Sequence, residues 1–315
     1  MDDRLQARLA AQHGVLTLDD ATSLDISVRQ VHELVRRGVL LRVRRGAYVD
    51  GDLHRAGGVS ERYRPVVRAI LRTRPRDAAS HHAALAIHGL PTFGVDWDRI
   101  DLVGPVTRVK IAAPLVVHPA AGEAVVQVEG ARCQPVARAL VRTAMSSGLT
   151  AGLIAADAAL SNGTCITADL QAELEILSHC RGSRYAARMM ELADDLSESP
   201  GETRTRLILL SAGLPVRSQV PIVSVGGAVF ARVDFLVGRH VVVEFDGAVK
   251  YQTGNGAVLF QEKQREDRLR ELGYEVVRVI WAELDHPANV VGRVQAALAR
   301  ARTPRAPVRH AGTQI

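Results

Sequence analysis

The chain has 315 residues, is 47% hydrophobic and 23% charged, and carries a net charge of +6 with a pI near 9.6. That composition excludes a wholly disordered chain, and the longest apolar run, Leu149–Ala156, is cut by Asp157 and is too short to span a bilayer. The positive balance permits an anionic partner such as nucleic acid without requiring one. Only Lys110, Lys250 and Lys263 are lysine; the other 37 of 40 basic residues are arginine. Three cysteines, Cys133, Cys165 and Cys180, have no paired or metal-like spacing and read as reduced, buried thiols. The N-terminal MDDRLQARLAAQHG has no signal-peptide core, so a cytoplasmic protein is expected.

Residues 1–50 read as three helices and a hairpin. A first helix is expected over Asp3–Gln12, broken at Gly14, and a second over Thr17–Ser23 with Thr17 as its cap. The third starts at Ser27 and stops at Gly38, with Val28, Val31, Leu34 and Val35 as its buried face and Arg29, Gln30, His32, Glu33 and Arg36 outward. VLLRVRRGAYVD then gives two short strands around Arg45-Gly46. This is the winged helix-turn-helix order, in which the third helix enters the major groove and the hairpin touches the backbone. Six arginines against the single acid Glu33 between Arg29 and Arg45 suit phosphate contacts. The candidate double-stranded DNA contacts are Arg29, Gln30, Arg36, Arg42, Arg44 and Arg45; a solvated protein-docking module is the other reading.

Residues 51–198 read as a mixed α/β middle domain. A helix near Glu61–Arg72 leads to SHHAALAIHGL, then to strands near Ile100–Val103, Val109–Ala112, Leu115–Val117 and Val125–Val128, then to helices in PVARALVRTAMSS, LTAGLIAADAAL, ADLQAELEILSHC and RYAARMMELADDL. His81, His82 and His88 have no Cys, Asp or Glu at ligand spacing, so a helix with incidental histidines is expected. The basic winged helix, SHHAALAIHGL, the short strands and RCQPVARALVRTA together resemble the AbiEi-type antitoxin family over roughly residues 5–195. That resemblance implies DNA-binding autorepression and, in some members, neutralisation of a nucleotidyltransferase toxin. Arg142 stands where relatives often carry an acid.

ELADDLSESPG, residues 191–201, marks a domain boundary. A helix from Glu202 to about Ala212 is followed by strands in VRSQVPIVS, AVFARVDFLV and HVVVEFDG. A helix over Val258–Leu272, a strand in YEVVRVIW and a helix over Pro287–Ala301 complete an α/β order for residues 199–303. Residues 304–315 read as a disordered basic tail.

Glu244 and Asp246, two apart on one strand, share a face. Asp234 joins them only if the loop at Gly238, Arg239 and His240 has three residues, setting Val237 opposite Val241; an odd-numbered loop is expected. Three carboxylates on one face repel one another, and a bound Mg²⁺ would remove that penalty, with Lys250 placed to orient water or neutralise phosphoryl charge. The competing reading pairs Glu244 and Asp246 with Arg232 or Arg265 at an exposed strand end, and Lys263 with Asp267 on the helix surface. Tyr251 and Trp281 are expected to pack rather than to stack on bases.

Glu202, Asp234 in ARVDF, Glu244 and Asp246 in VEFDG, EKQREDRLRELGY and VVRVIW together resemble the PD-(D/E)XK nuclease superfamily, within it the very-short-patch-repair-like endonucleases, over roughly residues 200–285. The resemblance implies a restriction-endonuclease-like α/β fold. It also implies metal binding by Asp234 and Glu244 with Asp246 close by, Glu202 as the helix acid, and Glu262 and Arg265 as helix polar residues. The usual E-x-K is E-F-D here, so a lysine role falls to Lys250 or Lys263. The expectation is a DNA-binding protein with a Mg²⁺-dependent endonuclease-like domain; the alternative is a non-enzymatic antitoxin-like repressor with a degenerate nuclease fold.

Overall fold

The computed structural model describes residues 3–120, 122–223, 228–247 and 256–302. The chain divides into two compact units, Met1–Asp195 and Leu196–Ile315.

The first unit opens with α1 (Asp3–Ala11), β1 (Val15–Thr17), α2 (Leu18–Ser23), α3 (Val28–Arg36), β2 (Leu40–Arg44) and β3 (Ala47–Asp50). Both expected caps form. Thr17 Oγ1 accepts from the Asp20 amide while the Asp20 carboxylate takes the Thr17 amide, and Ser27 and Gln30 make the same reciprocal pair. β1, which the sequence reading missed, joins the hairpin in the antiparallel order β1-β3-β2. Leu5, Leu9, Leu16, Val31, Leu40 and Tyr48 form the core between helices and sheet. Val28, expected to be buried, is 53% exposed at the first position of α3.

α4 (Gly51–Ala56) and α5 (Val59–Arg72) follow, and Ala69 of α5 packs against Val15, Ala47 and Val49. The boundary expected after residue 50 therefore falls inside this unit. Next come β4 (Ala78–Ala79), α6 (His81–Ile87), β5 (Ile100–Gly104), β6 (Lys110–Ala112), β7 (Leu115–Pro119), β8 (Val126–Val128) and β9 (Ala131–Cys133). The strands make one mixed sheet in the order β6-β7-β5-β4-β9-β8. α7 (Val136–Ser147), α8 (Leu149–Ser161), α9 (Thr167–Leu177) and α10 (Ser183–Leu192) complete the unit. Cys133 and Cys165 are buried, but Cys180, past the end of α9, is exposed, contrary to expectation. Among the described residues no helix is long and apolar enough to cross a membrane.

The second unit runs α11 (Pro200–Ser211), β10 (Val216–Val223), β11 (Val229–Val237), β12 (Val241–Asp246), α12 (Gly256–Glu271), β13 (Glu275–Ile280) and α13 (Pro287–Arg302). Its sheet order is β10-β11-β12-β13, an antiparallel meander with β13 added parallel to β12. The sheet is buried on both faces. Phe235, Val237, Val241, Val243, Val277 and Val279 pack with Leu209 of α11 and with Val290, Val294 and Ala297 of α13; Val242 and Leu236 pack with Leu269 of α12. Gly201 leaves room for the Phe245 ring, which a Cβ there would enter. Lys250 and Tyr251, together with the tail from residue 304, lie outside the described residues.

Candidate functional site

The loop between β11 and β12 has three residues. Val237 pairs with Val241, Leu236 with Val242 and Phe235 with Val243. The pairing ends there, one residue short of the Asp234–Glu244 pair expected of a three-residue loop. The ladder changes character there. Ala231 and Val233 pack on the same side as Leu236, whereas Phe235 and Val237 pack on the other, so strict alternation breaks at Asp234. Its carboxylate, rather than its main chain, then accepts the Phe245 amide at 2.8 Å.

Gln219, across from Asp234 on β10, has φ +50, a left-handed conformation inside a strand. Such geometry costs about 1–3 kcal/mol and clusters at functional positions. Its side chain donates to Glu202 Oε2 at 3.1 Å and lines the same cavity as Asp234. Sequence reading missed Gln219, and nothing in its local pattern signals a left-handed residue.

The cavity, of about 260 Å³, is lined by Asp234, Glu244 and Asp246, with Glu198 and Glu262 beside them and Arg232, Arg265 and Arg278 between. Among the described lining residues, five carboxylates face three guanidiniums, a formal excess of two negative charges. Burial, with Glu202 and Glu244 nearby, pushes the Asp234 carboxyl up to about 6, against the lowering effect of the Phe245 amide and Arg265. Arg265 reaches Glu244 Oε1 at 2.7 Å and the Arg232 carbonyl at 2.9 Å, as the competing reading required of it. Arg232 instead pairs with Glu198, and Arg278 with Glu266 at 2.9 Å.

Two of the expected site residues stand elsewhere. Glu202 does not line this cavity: it is buried as the third residue of α11, where its carboxylate accepts from the Glu198 amide, the Ser199 hydroxyl and Gln219. Its charge still acts on Asp234, but its oxygens serve the helix cap. Lys263 is exposed and outside the lining, because Glu262, Arg265 and Leu269 mark the sheet-facing stripe of α12 and Lys263 falls off it. Lys250 lies outside the described residues. Trp281 meets Phe245 edge-on at 5.2 Å but is itself exposed, so it is not the core residue that was expected.

Hard carboxylate oxygens, an excess of two negative charges and a carboxyl destabilised by burial and by its neighbours suit Mg²⁺, which needs only one or two direct protein ligands. Asp234 and Glu244, with Asp246 at the rim, are the residues that would hold it.

In the winged helix, Arg29 and Arg45 are exposed. Arg42 is exposed with Nε 3.4 Å from the Arg44 carbonyl, and Arg36 is paired with Glu33. Of the other two expected DNA contacts, Gln30 is exposed and Arg44 is half-buried. Gln30 Oε1 accepts from the Ser27 amide and hydroxyl at 2.8 Å, so its side chain is folded onto the cap. Arg44 sits where the β2–β3 register shifts, half-buried with Nη1 out of solvent.

The histidines of α6 and its C-cap divide between two roles. His82 stacks on Tyr63 and His88 bonds the Gln134 carbonyl at 2.8 Å, both packing roles. His81, however, meets Asp101 of β5 and His118 of β7, partners that spacing within the helix could not reveal. Arg142, at the position where relatives often carry an acid, pairs with Glu123.

Two Mycobacterium tuberculosis proteins, uncharacterized protein MT2308 of strain CDC 1551 / Oshkosh and uncharacterized protein Rv2248 of strain ATCC 25618 / H37Rv, are each 27% identical to this chain over 216 residues, covering 67% of it and 79% of the relative. Residues 3–49, which hold the three helices and most of the hairpin, match the family model described as a transcriptional regulator, the AbiEi antitoxin.

Proposed function

We propose that this chain is a DNA-binding, AbiEi-antitoxin-like regulator in its N-terminal segment, joined to a C-terminal unit that acts on phosphodiesters as a Mg²⁺-dependent endonuclease-like domain. The DNA-binding half is supported by the family match over residues 3–49 and by the exposed arginines of α3 and the wing. The observation that carries the catalytic half is the cavity lined together by Asp234, Glu244 and Asp246, with a net excess of carboxylate. The helix, three-stranded meander, helix and parallel strand of the second unit agree with the restriction-endonuclease-like order implied by sequence resemblance.

A bound Mg²⁺ would supply a water of lowered pKa and a Lewis acid for a phosphate oxygen. The chain's own residues do the rest. Asp234 and Glu244 offer oxygens, Arg265 orients Glu244, and Arg278 at the cavity wall balances phosphoryl charge.

One observation favours a second reading. The Arg265–Glu244 pair already neutralises one of the acids, as in a nuclease fold kept as a platform by a non-enzymatic repressor that binds a nucleotidyltransferase toxin. Supercoiled plasmid separates the two. Wild type with Mg²⁺ or Mn²⁺ is expected to nick it, and Glu244→Ala to do so at least about 100-fold more slowly. Wild type that never nicks, yet binds DNA tightly in a salt-sensitive way, leaves the repressor.

The DNA interface has its own test. Arg29→Ala combined with Arg45→Ala is expected to weaken DNA binding for all sequences alike and to reduce the salt slope by about one for each phosphate no longer neutralised. An unchanged slope in fluorescence anisotropy titrations would take these two arginines off the DNA.

A further inference from the structure

His81, Asp101 and His118 belong to the first unit and share no residue with the acidic cavity. Their candidate ligand atoms all lie within 4.8 Å of one another. Asp101, 1% exposed, comes from β5, and His118 from the parallel strand β7. The β5–β7 register pairs His118 with Val103, two residues along from Asp101, so both side chains rise on one face. His118 Nε2 lies 2.6 Å from Asp101 Oδ1, and the rings of His81 and His118 stack at 4.8 Å.

Each member has an outer partner. Ser80 Oγ lies 2.6 Å from His81 Nδ1, which leaves Nε2 as the ring nitrogen that Ser80 does not engage. Arg99 grips Asp101 with Nε at 2.8 Å and Nη2 at 2.7 Å. Outer partners of this kind set tautomer and ring orientation at metal centres. His81 is held at φ +51, an unfavourable conformation for a side chain of this size, at the first position of α6. A helix start of ordinary packing requires neither that strain nor a second imidazole stacked beside a buried carboxylate. The cluster also has an entry route, because His81 and His118 line a cleft of about 1180 Å³ with Arg99, Arg142 and Ser146.

We propose that His81, Asp101 and His118 form a binding site for a borderline divalent transition metal of the Zn²⁺ class, with a remaining coordination position open to the cleft. Two imidazoles and one carboxylate select such an ion over Mg²⁺, whose preference is for oxygen alone. On binding, the ion replaces the hydrogen bond between His118 and Asp101, and Arg99 and Ser80 stay in place as orienting groups.

The test uses the full chain stripped with EDTA and titrated with ZnCl₂ by calorimetry, with CoCl₂ followed by visible absorption as a second readout. Wild type is expected to take up one ion at this site and to show Co²⁺ ligand-field bands. His118→Gln and His81→Asn are each expected to lower Zn²⁺ affinity at least tenfold and to remove those bands; asparagine tolerates the left-handed backbone at residue 81. The titrations are repeated in the Asp234→Asn background, which disables the acidic cavity, so the outcome is independent of the endonuclease reading. Zn²⁺ affinity and Co²⁺ bands preserved in His118→Gln overturn the site, as does a wild type that melts cooperatively and binds no Zn²⁺. If His81→Asn loses its melting transition, His118→Gln alone decides.

Discussion

Asp234→Asn is expected to lower Mg²⁺-dependent nicking by at least about 100-fold and, in EDTA at pH 7.5, to make the protein more stable rather than less. The two effects have one cause. Burial and the nearby Glu202 and Glu244 raise the folded-state pKa of Asp234 from 3.8 to about 6. The ionised carboxylate is therefore disfavoured in the fold by about 3 kcal/mol. For an acid whose folded pKa is raised, the penalty is absent below pH 3.8, grows between there and about 6, and is complete above. Wild type in EDTA should thus lose stability as the pH rises through that window, relative to the variant. Asparagine keeps an oxygen for the Phe245 amide, so the hydrogen bond that ends the ladder survives. Added Mg²⁺ should raise the melting temperature of wild type and leave that of the variant unmoved. Thermal melts at pH 4.5 and pH 7.5, with and without metal, check all of this. A variant less stable than wild type in EDTA at pH 7.5 would mean that Asp234 is satisfied where it stands and that its cavity calls for no cation.

The elements that sequence reading recovered are those set by short-range rules. Thr17 and Ser27 announced their helices because a capping box is complete within four residues. The three-residue loop at Gly238–His240 followed from requiring the acids to share a face, and it sets Val237 opposite Val241. What escaped was non-local or conformational. β1 is three residues long and is a strand only because β3 lies beside it. Gln219 takes a left-handed backbone that its residue type does not ask for. Gln30 is exposed, as its place on the helical wheel requires, but the bond from Ser27, one turn earlier, to its side chain was not foreseen. Glu202 was placed with the acids by resemblance, while its own N-terminal neighbours Glu198 and Ser199 had the nearer claim. His81, Asp101 and His118 come from a helix and two strands, and only the sheet order joins them.

Asp20→Ala is expected to destabilise the first unit by about 3 kcal/mol and to weaken DNA binding without touching a DNA contact. Asp20 is buried and accepts from five groups: Arg8 at 3.2 Å, Gln12 at 3.0 Å, the Thr17 amide at 2.8 Å, the Thr17 hydroxyl at 2.6 Å, and Arg72 at 2.9 and 3.0 Å. These tie α1 and the cap of α2 to α5, which packs on the winged-helix sheet through Ala69. Truncation removes the capping box and strands the buried Thr17 amide, while Arg8 and Arg72, each partly exposed, recover some hydration. Burial alone would raise the Asp20 pKa, but the hydrogen bonds from Thr17 and Gln12 and the charge of Arg72 more than offset it, and the pKa is lowered. A depressed folded pKa contributes stability at every pH above the ordinary carboxylate range and loses it only as the pH falls below that range. The cost of Asp20→Ala should accordingly be full at pH 7 and shrink in strong acid, the opposite slope to that of Asp234. Asp20→Asn, which keeps the shape and drops the charge, should fall between the two. Urea unfolding at pH 7 and pH 3 measures the difference, and salt titrations of DNA binding should show an unchanged slope with a lower intercept. A variant as stable as wild type at pH 7 would show that α5 holds the winged helix through Ala69 and its apolar neighbours alone.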